Sequence, residues 1–436
     1  MGTKDLLRYT APTMAAMVFG SIYGVVDGLF ISNCAGKTAF AAVNFVWPII
    51  MILSTIGFMI GSGGSALVST TRGRGDDELA NRQFSLLSYF CISTSAVLAV
   101  LGFIFMGVLV AALGAEGELL RQGTLYGRIC MFAIPFACLA LVFEPFLTAA
   151  GKPELSLKYS EIAGCTNIVL DALFVWLLDW GVAGAAAATS ISSVISGGCP
   201  LLYFMRPNDS FLRLGRTSLD WRCIGKACTN GYSEMVSSLA MNVVSIVYNV
   251  QLLHYLGEDG VAAYGILMYV SMIFSALFVG YTMGSAPLMS FQNGAGNNVE
   301  KRSLLRHGLA IISVGAVMMF CASELLAVPL SRIFASYDAD LLALTIHAFR
   351  IYSLSFLFMG FAIYASSLFT SLENGVVSAI ISFVRTLVFE AGAVLLLPVL
   401  FGAESIWYSF LVAEVAATVL SAVFLLALSR RYGFRE

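Results

Sequence analysis

Two polar side chains one helical turn apart, in a mostly apolar run, concentrate the chemistry of this chain. Asn167 and Asp171 lie in Thr166-Asn167-Ile168-Val169-Leu170-Asp171, inside a stretch from about Leu155 to Leu178 dominated by Ile, Val, Leu, Phe, Ala and Trp. A spacing of four puts both on one face of a helix. A carboxylate in an apolar span costs about 2.5–3.5 kcal/mol on insertion scales unless it faces a protein interior or a wet cavity. A lone Asn in such a setting serves as helix–helix glue, whereas an Asp with a partner a turn away marks an ion or proton path.

Other polar groups fall at a similar depth. Tyr23 and Asp27 are one turn apart in Ser21-Ile22-Tyr23-Gly24-Val25-Val26-Asp27, and Thr189 follows four alanines. At 1.5 Å per residue, Asp27 is about 9 Å from the outer end of its helix, Asp171 and Thr189 about 12 Å, and Asn167 about 18 Å. Two carboxylates sharing a poorly solvated site cannot both ionise cheaply, and they titrate as a unit. That suits a proton, and two carboxylates with an amide and a hydroxyl also suit Na⁺.

These residues need a membrane-embedded scaffold. Of 436 residues 59% are hydrophobic and only 11% charged, with mean hydropathy +0.86. Soluble domains average about 45–50% apolar and 25% charged, so the chain is read as an all-α polytopic membrane protein in a lipid bilayer. A net charge of −2 gives no basic surface for nucleic acid. Nine scattered cysteines without a Cys-x-x-Cys pair and three separated histidines point to neither metal nor cofactor. No convergent nucleophile–base pattern marks an enzyme.

Apolar windows predict twelve transmembrane helices at 6–32, 40–70, 84–113, 121–150, 155–178, 182–205, 222–256, 261–290, 303–330, 341–371, 375–400 and 404–429. Lys and Arg gather at the N-terminus (Lys4, Arg8) and after helix 2 (Arg72, Arg74, Arg82). More follow helix 6 (Arg206, Arg213, Arg216) and helix 8 (Lys301, Arg302, Arg306), and Arg430, Arg431 and Arg435 end the chain. The positive-inside rule then puts both termini in the cytoplasm, with the protein in the cell's inner membrane.

The longest polar break separates an N-lobe (1–205, helices 1–6) from a C-lobe (222–436, helices 7–12) through a cytoplasmic linker (206–221). A shift of 221 residues brings Gly36 onto Gly257, Gly63 onto Gly284, Gly73 and Gly75 onto Gly294 and Gly296, and Gly181 onto Gly402. Two six-helix lobes related by a parallel repeat make a transporter architecture. Under the same shift Asp27, Asn167 and Asp171 meet Tyr248, Val388 and Gly392, so the N-lobe carries acids that the C-lobe lacks at those positions.

Helix 7 has a polar stripe at Glu234, Ser238, Asn242, Ser245 and Asn249. With Tyr23 and Tyr248 it supplies the substrate-cavity candidates Tyr23, Glu234, Asn242 and Tyr248. Glu234 also has Lys226 within reach as an ion-pair partner. Arg128, Arg350, Arg385, Glu390 and Glu414 are read as structural ion pairs. Eight prolines in the spans invite kinks, Pro12 foremost, because a bend there redirects the segment bearing Asp27.

Four stretches together resemble the multidrug and toxic compound extrusion (MATE) family over essentially the whole chain. They are helix 1 with Tyr23 and Asp27; Gly61-Ser-Gly-Gly64 with Arg72-Gly-Arg-Gly75 and Ala80-Asn81-Arg82; Gly151-Lys-Pro with Asn167-Ile-Val-Leu-Asp171; and Trp180-Gly-Val-Ala-Gly184 running to Thr189. The resemblance implies secondary active efflux of cationic, often aromatic compounds by a monomer, through alternating access and in exchange for H⁺ or Na⁺. It implies an N-lobe cation site at Asp27, Asn167, Asp171 and Thr189. The family branch that uses acids of helices 7 and 10 has no clear counterpart here. The alternative, a lipid-linked oligosaccharide flippase of the same superfamily, needs a cationic cavity for pyrophosphate, whereas this cluster is acidic.

Overall fold

A computed structural model describes residues 2–30, 37–113, 115–335 and 339–434, and their side chains except those of 25–30, 37, 38, 40, 41, 44, 45, 258, 334 and 335. The Asp27 side chain, together with Gly36 and Arg435, therefore lies outside the described residues. The described residues are almost entirely helical. The helices are α1 (Thr3–Phe30), α2 (Lys37–Gly73), α3 (Asp77–Ala112) and α4 in two segments (Gly117–Met131, Ile134–Ala149). Next come α5 (Pro153–Leu177), α6 (Gly181–Met205), α7 (Trp221–Gly257) and α8 (Asp259–Gly294). Then follow α9 (Asn298–Ala335), α10 in two segments (Ala339–Ser353, Phe356–Ser371), α11 (Gly375–Phe401) and α12 (Ala403–Leu428). Among the described residues, nine helices are individually long and apolar enough to span a bilayer, and the two segmented helices raise the number to eleven. With the 28-residue α1, the bundle has twelve.

The tandem repeat is written into the backbone. Gly75 and its mate Gly296 both take positive φ (89° and 66°), as do Gly181 and Gly402 (55° and 88°), where a side chain would be strained. The breaks in α4 and α10 are mates too, with bends of 54° and 49°. Proline does not explain them both. Pro12, Pro48, Pro145, Pro200, Pro287, Pro329 and Pro398 all lie within continuous helices. Pro135 stands just after the break in α4, but no proline stands at the break in α10. There the hydroxyls of Ser353 and Ser355 donate to the carbonyls of Arg350 (2.7 Å) and Tyr352 (2.6 Å), in competition with the backbone ladder.

Each half has its own apolar core, and the repeat mates α1 and α7 exchange their first turns. Leu6 is buried in the core of the second half, and its mate Ala227 in the core of the first. Glycines let the crossing helices approach backbone to backbone. A Cβ on Gly63 or Gly231 would overlap the backbone of the facing helix, and so would one on Gly73 or Gly294. Gly280 of α8 receives the backbone of Thr13 and Met14 of α1 in the same way, while Gly284 meets the side chains of Thr10 and Thr13. These junctions, with the Arg74–Glu373 ion pair at 3.2 Å, tie the two halves together toward the end of the bundle that bears both chain termini.

The segment between α6 and α7 is extended and fastened to α3. The Arg213 backbone donates to Asn81 Oδ1 (2.7 Å), and the Gly215 backbone donates to Ser85 Oγ (3.1 Å).

Candidate functional site

The buried residues of α5 up to Asp171 include Ser156, Ala163, Gly164, Asn167 and Asp171, one stripe at helical spacing. Ile162 and Val169 on the remaining surface are exposed. Asn167 is 2% and Asp171 0% exposed, so the pair faces protein. Immediately after Asp171 the helix widens into a π-turn over Ala172–Leu177, a local irregularity frequent at functional sites.

Two glycines set the register of the neighbouring helices. A Cβ on Gly164 would stand 2.7 Å from the ring of Phe19 and 3.1 Å from that of Tyr23, which fixes α1 against α5. The two helices run in the same direction. Asp27, one turn beyond Tyr23, thus lies about level with Ile168 at 1.5 Å per residue. On the other side a Cβ on Gly184 of α6 would stand 3.0 Å from the backbone of Phe174. Because α6 runs antiparallel, Thr189, five residues further on, comes about level with Val169. The Asn167 Oδ1 and Thr189 Oγ1 atoms are buried and have no hydrogen-bond partner among the described residues. Leaving such atoms unsatisfied costs about 1–3 kcal/mol each, and a proton donor or a small hard cation recovers that cost.

The cavity candidates of the second half separate. Glu234 and Asn242 are part-buried, as are Ser238 and Ser245, while Asn249 is exposed. Asn242 Nδ2 donates to the Ser238 carbonyl of its own helix at 2.9 Å. Among the described residues no ion pair joins Glu234 to Lys226. Tyr248 leaves the stripe: it is 3% exposed in the core of the second half, its ring stacked on Tyr264 at 4.7 Å and 15°. One residue is about 100° of helix rotation, so Tyr248 and Asn249 point apart.

One charged grouping was not apparent as a unit from the sequence. Arg385 of α11 donates from Nη2 (2.6 Å) and Nε (2.9 Å) to Oε1 of Glu414 on α12, which is 1% exposed. The individual residues stood out as charges in apolar spans, but the partner of each is 29 residues away and is chosen by packing.

A membrane-spanning bundle with two repeat-related halves and a polar cluster inside one of them defines a transporter architecture. The MatE family model matches residues 12–173 and 235–393, and the chain belongs to that family, one of transporters rather than enzymes. It is 24% identical over 430 residues to the multidrug export protein MepA of Staphylococcus haemolyticus (strain JCSC1435), covering 98% of this chain and 94% of that one. To MepA of Staphylococcus aureus (strain NCTC 8325 / PS 47) it is 25% identical over 328 residues, covering 74% and 71%. In fold it is similar to a crystal structure of a MATE in complex with MaL6 (TM-score 0.92, 20% identity, 99% and 96% covered). It is likewise similar to an outward-facing multidrug resistance MATE transporter (TM-score 0.90, 22% identity, 98% and 97% covered).

Proposed function

We propose that this chain is a secondary active multidrug efflux antiporter. It exports cationic, aromatic compounds across the cytoplasmic membrane, works as a monomer, and keeps both termini in the cytoplasm. The relatives' description as multidrug export proteins supports the substrate class. The observation that carries the mechanism is the buried stripe of Asn167 and Asp171, with Thr189 and the backbone of Asp27 brought to its level. Binding of H⁺ at this cluster, rather than Na⁺, drives the exchange, because one proton relieves a like-charge repulsion and a desolvation cost together.

A difference of one pKa unit between the two conformations biases their balance by about 1.4 kcal/mol per proton, a factor of ten. Protonation and substrate then favour different conformations or compete for the same one. Exchange of one H⁺ for one monovalent cation is electroneutral. Purified protein in liposomes is therefore expected to accumulate a cationic dye under a pH gradient alone, in Na⁺-free buffer, with little response to membrane potential. Accumulation that needs a Na⁺ gradient instead would replace H⁺ by Na⁺ and leave the site residues in place.

A further inference from the structure

The second half holds buried charges of its own. Arg385 and Glu414 form a two-pronged ion pair, with both Arg385 nitrogens on the Glu414 carboxylate. A third charge stands beside them. Residues Val384–Glu390 form a π-helix, and that geometry brings Glu390 round to Arg385. Five residues make about 1.4 turns of an α-helix and end on a different face. In a π-helix, with i→i+5 bonding, the same five residues make only slightly more than one turn. Glu390 is thus within electrostatic reach of the Arg385 guanidinium and the Glu414 carboxylate, and of Tyr248 (α7), Tyr264 (α8) and Tyr352 (α10).

The charges do not balance: there is one guanidinium for two carboxylates. Glu414 holds the guanidinium, and among the described residues Glu390 has no ion pair. A lone carboxylate at this depth takes up a positive charge. The walls decide its size. Tyr248, Tyr264 and Tyr352 are 3%, 6% and 7% exposed and Glu414 1%, while Tyr352 is held by Ser271 (2.7 Å) and stacks on Phe410 (4.7 Å). A proton needs no cavity among such buried side chains, whereas an organic cation does.

We propose that Glu390 is a second proton-binding group of this transporter, in the half that lacks the Asp27–Asn167–Asp171–Thr189 cluster. The Glu390 carboxylate is part-buried, and its proton comes and goes on the side that is not covered. When the proton leaves, Glu390 competes with Glu414 for Arg385, and the clamp between α11 and α12 loosens. Glu390 takes its proton whether or not Asp171 does.

The test is infrared difference spectroscopy on the purified full-length protein, acidic minus neutral pH, read at the carbonyl stretch of a protonated carboxylic acid. Glu390→Gln is expected to remove one component of that band, a component that Asp171→Asn retains. In Glu414→Gln, Arg385 is released to Glu390 and holds it as a carboxylate, so the same component is expected to vanish although Glu390 is still there. A Glu390→Gln spectrum superimposable on wild type overturns the proposal, and retention of the component in Glu414→Gln overturns the role given to Arg385. If Glu390→Gln does not fold, Glu390→Asp carries the test, since its component must shift, and an unshifted band overturns the proposal too. Loss of the band in Asp171→Asn alone would instead support the first-half cluster and refute a second site.

Discussion

Liposomes carrying Asp171→Asn or Asp27→Asn are expected to lose pH-driven accumulation of a cationic dye by at least tenfold, with the protein still made, folded and inserted. Asp171 is fully buried beside Asn167, so an amide of the same shape keeps the packing and removes only the ability to take and release a proton. Tenfold corresponds to about 1.4 kcal/mol, the bias that a single pKa unit between conformations supplies. Gly392→Ala is the control: an added Cβ on the repeat mate of Asp171 meets open space, and the substitution should change transport far less. Rates near wild type in both aspartate variants would remove these residues from the coupling site and return them to structural glue.

The second large effect is conformational. Gly231 of α7 lies against the backbone of Met59 and Gly63 in α2, and Gly294 of α8 lies against Thr70. Gly231→Val puts three carbons where the facing carbonyl stands, and since backbone cannot yield as a flexible side chain does, the two halves must part. Overpacking of this kind costs about 1–3 kcal/mol, which shifts a two-state balance about 5–150-fold. Thr70 is 0% exposed in the closed junction. A Thr70→Cys reporter, in a background without the nine native cysteines, is expected to react slowly with a hydrophilic thiol reagent and at least fivefold faster once Gly231→Val is added. Equal rates would mean that this end of the bundle opens without separating the glycine pair.

Much of the architecture was legible because the bilayer simplifies the code. Apolar windows of about 20 residues can only be helices there. The twelve spans, the repeat and the Asn167–Asp171 face could therefore be read from composition and spacing. What the sequence left open were features that depend on neighbours. Prolines were expected to invite kinks, and Pro135 does stand just after the break in α4, but the bend in α10 falls at serines whose hydroxyls bond back to the chain. Tyr248, named among the cavity candidates, is buried against Tyr264, one residue round from the exposed Asn249.

By itself, then, the sequence determined the helices, their pairing by repeat and the polar pairs within one helix, since all of these follow from periodicity along the chain. Tertiary structure decided the register between helices, through glycines that admit Tyr23 beside Gly164 and Phe174 beside Gly184. It also decided that Arg385 meets Glu414 from the next helix and that a π-turn carries Glu390 round to join them. Those choices rest on steric contact and charge between segments that periodicity treats as independent.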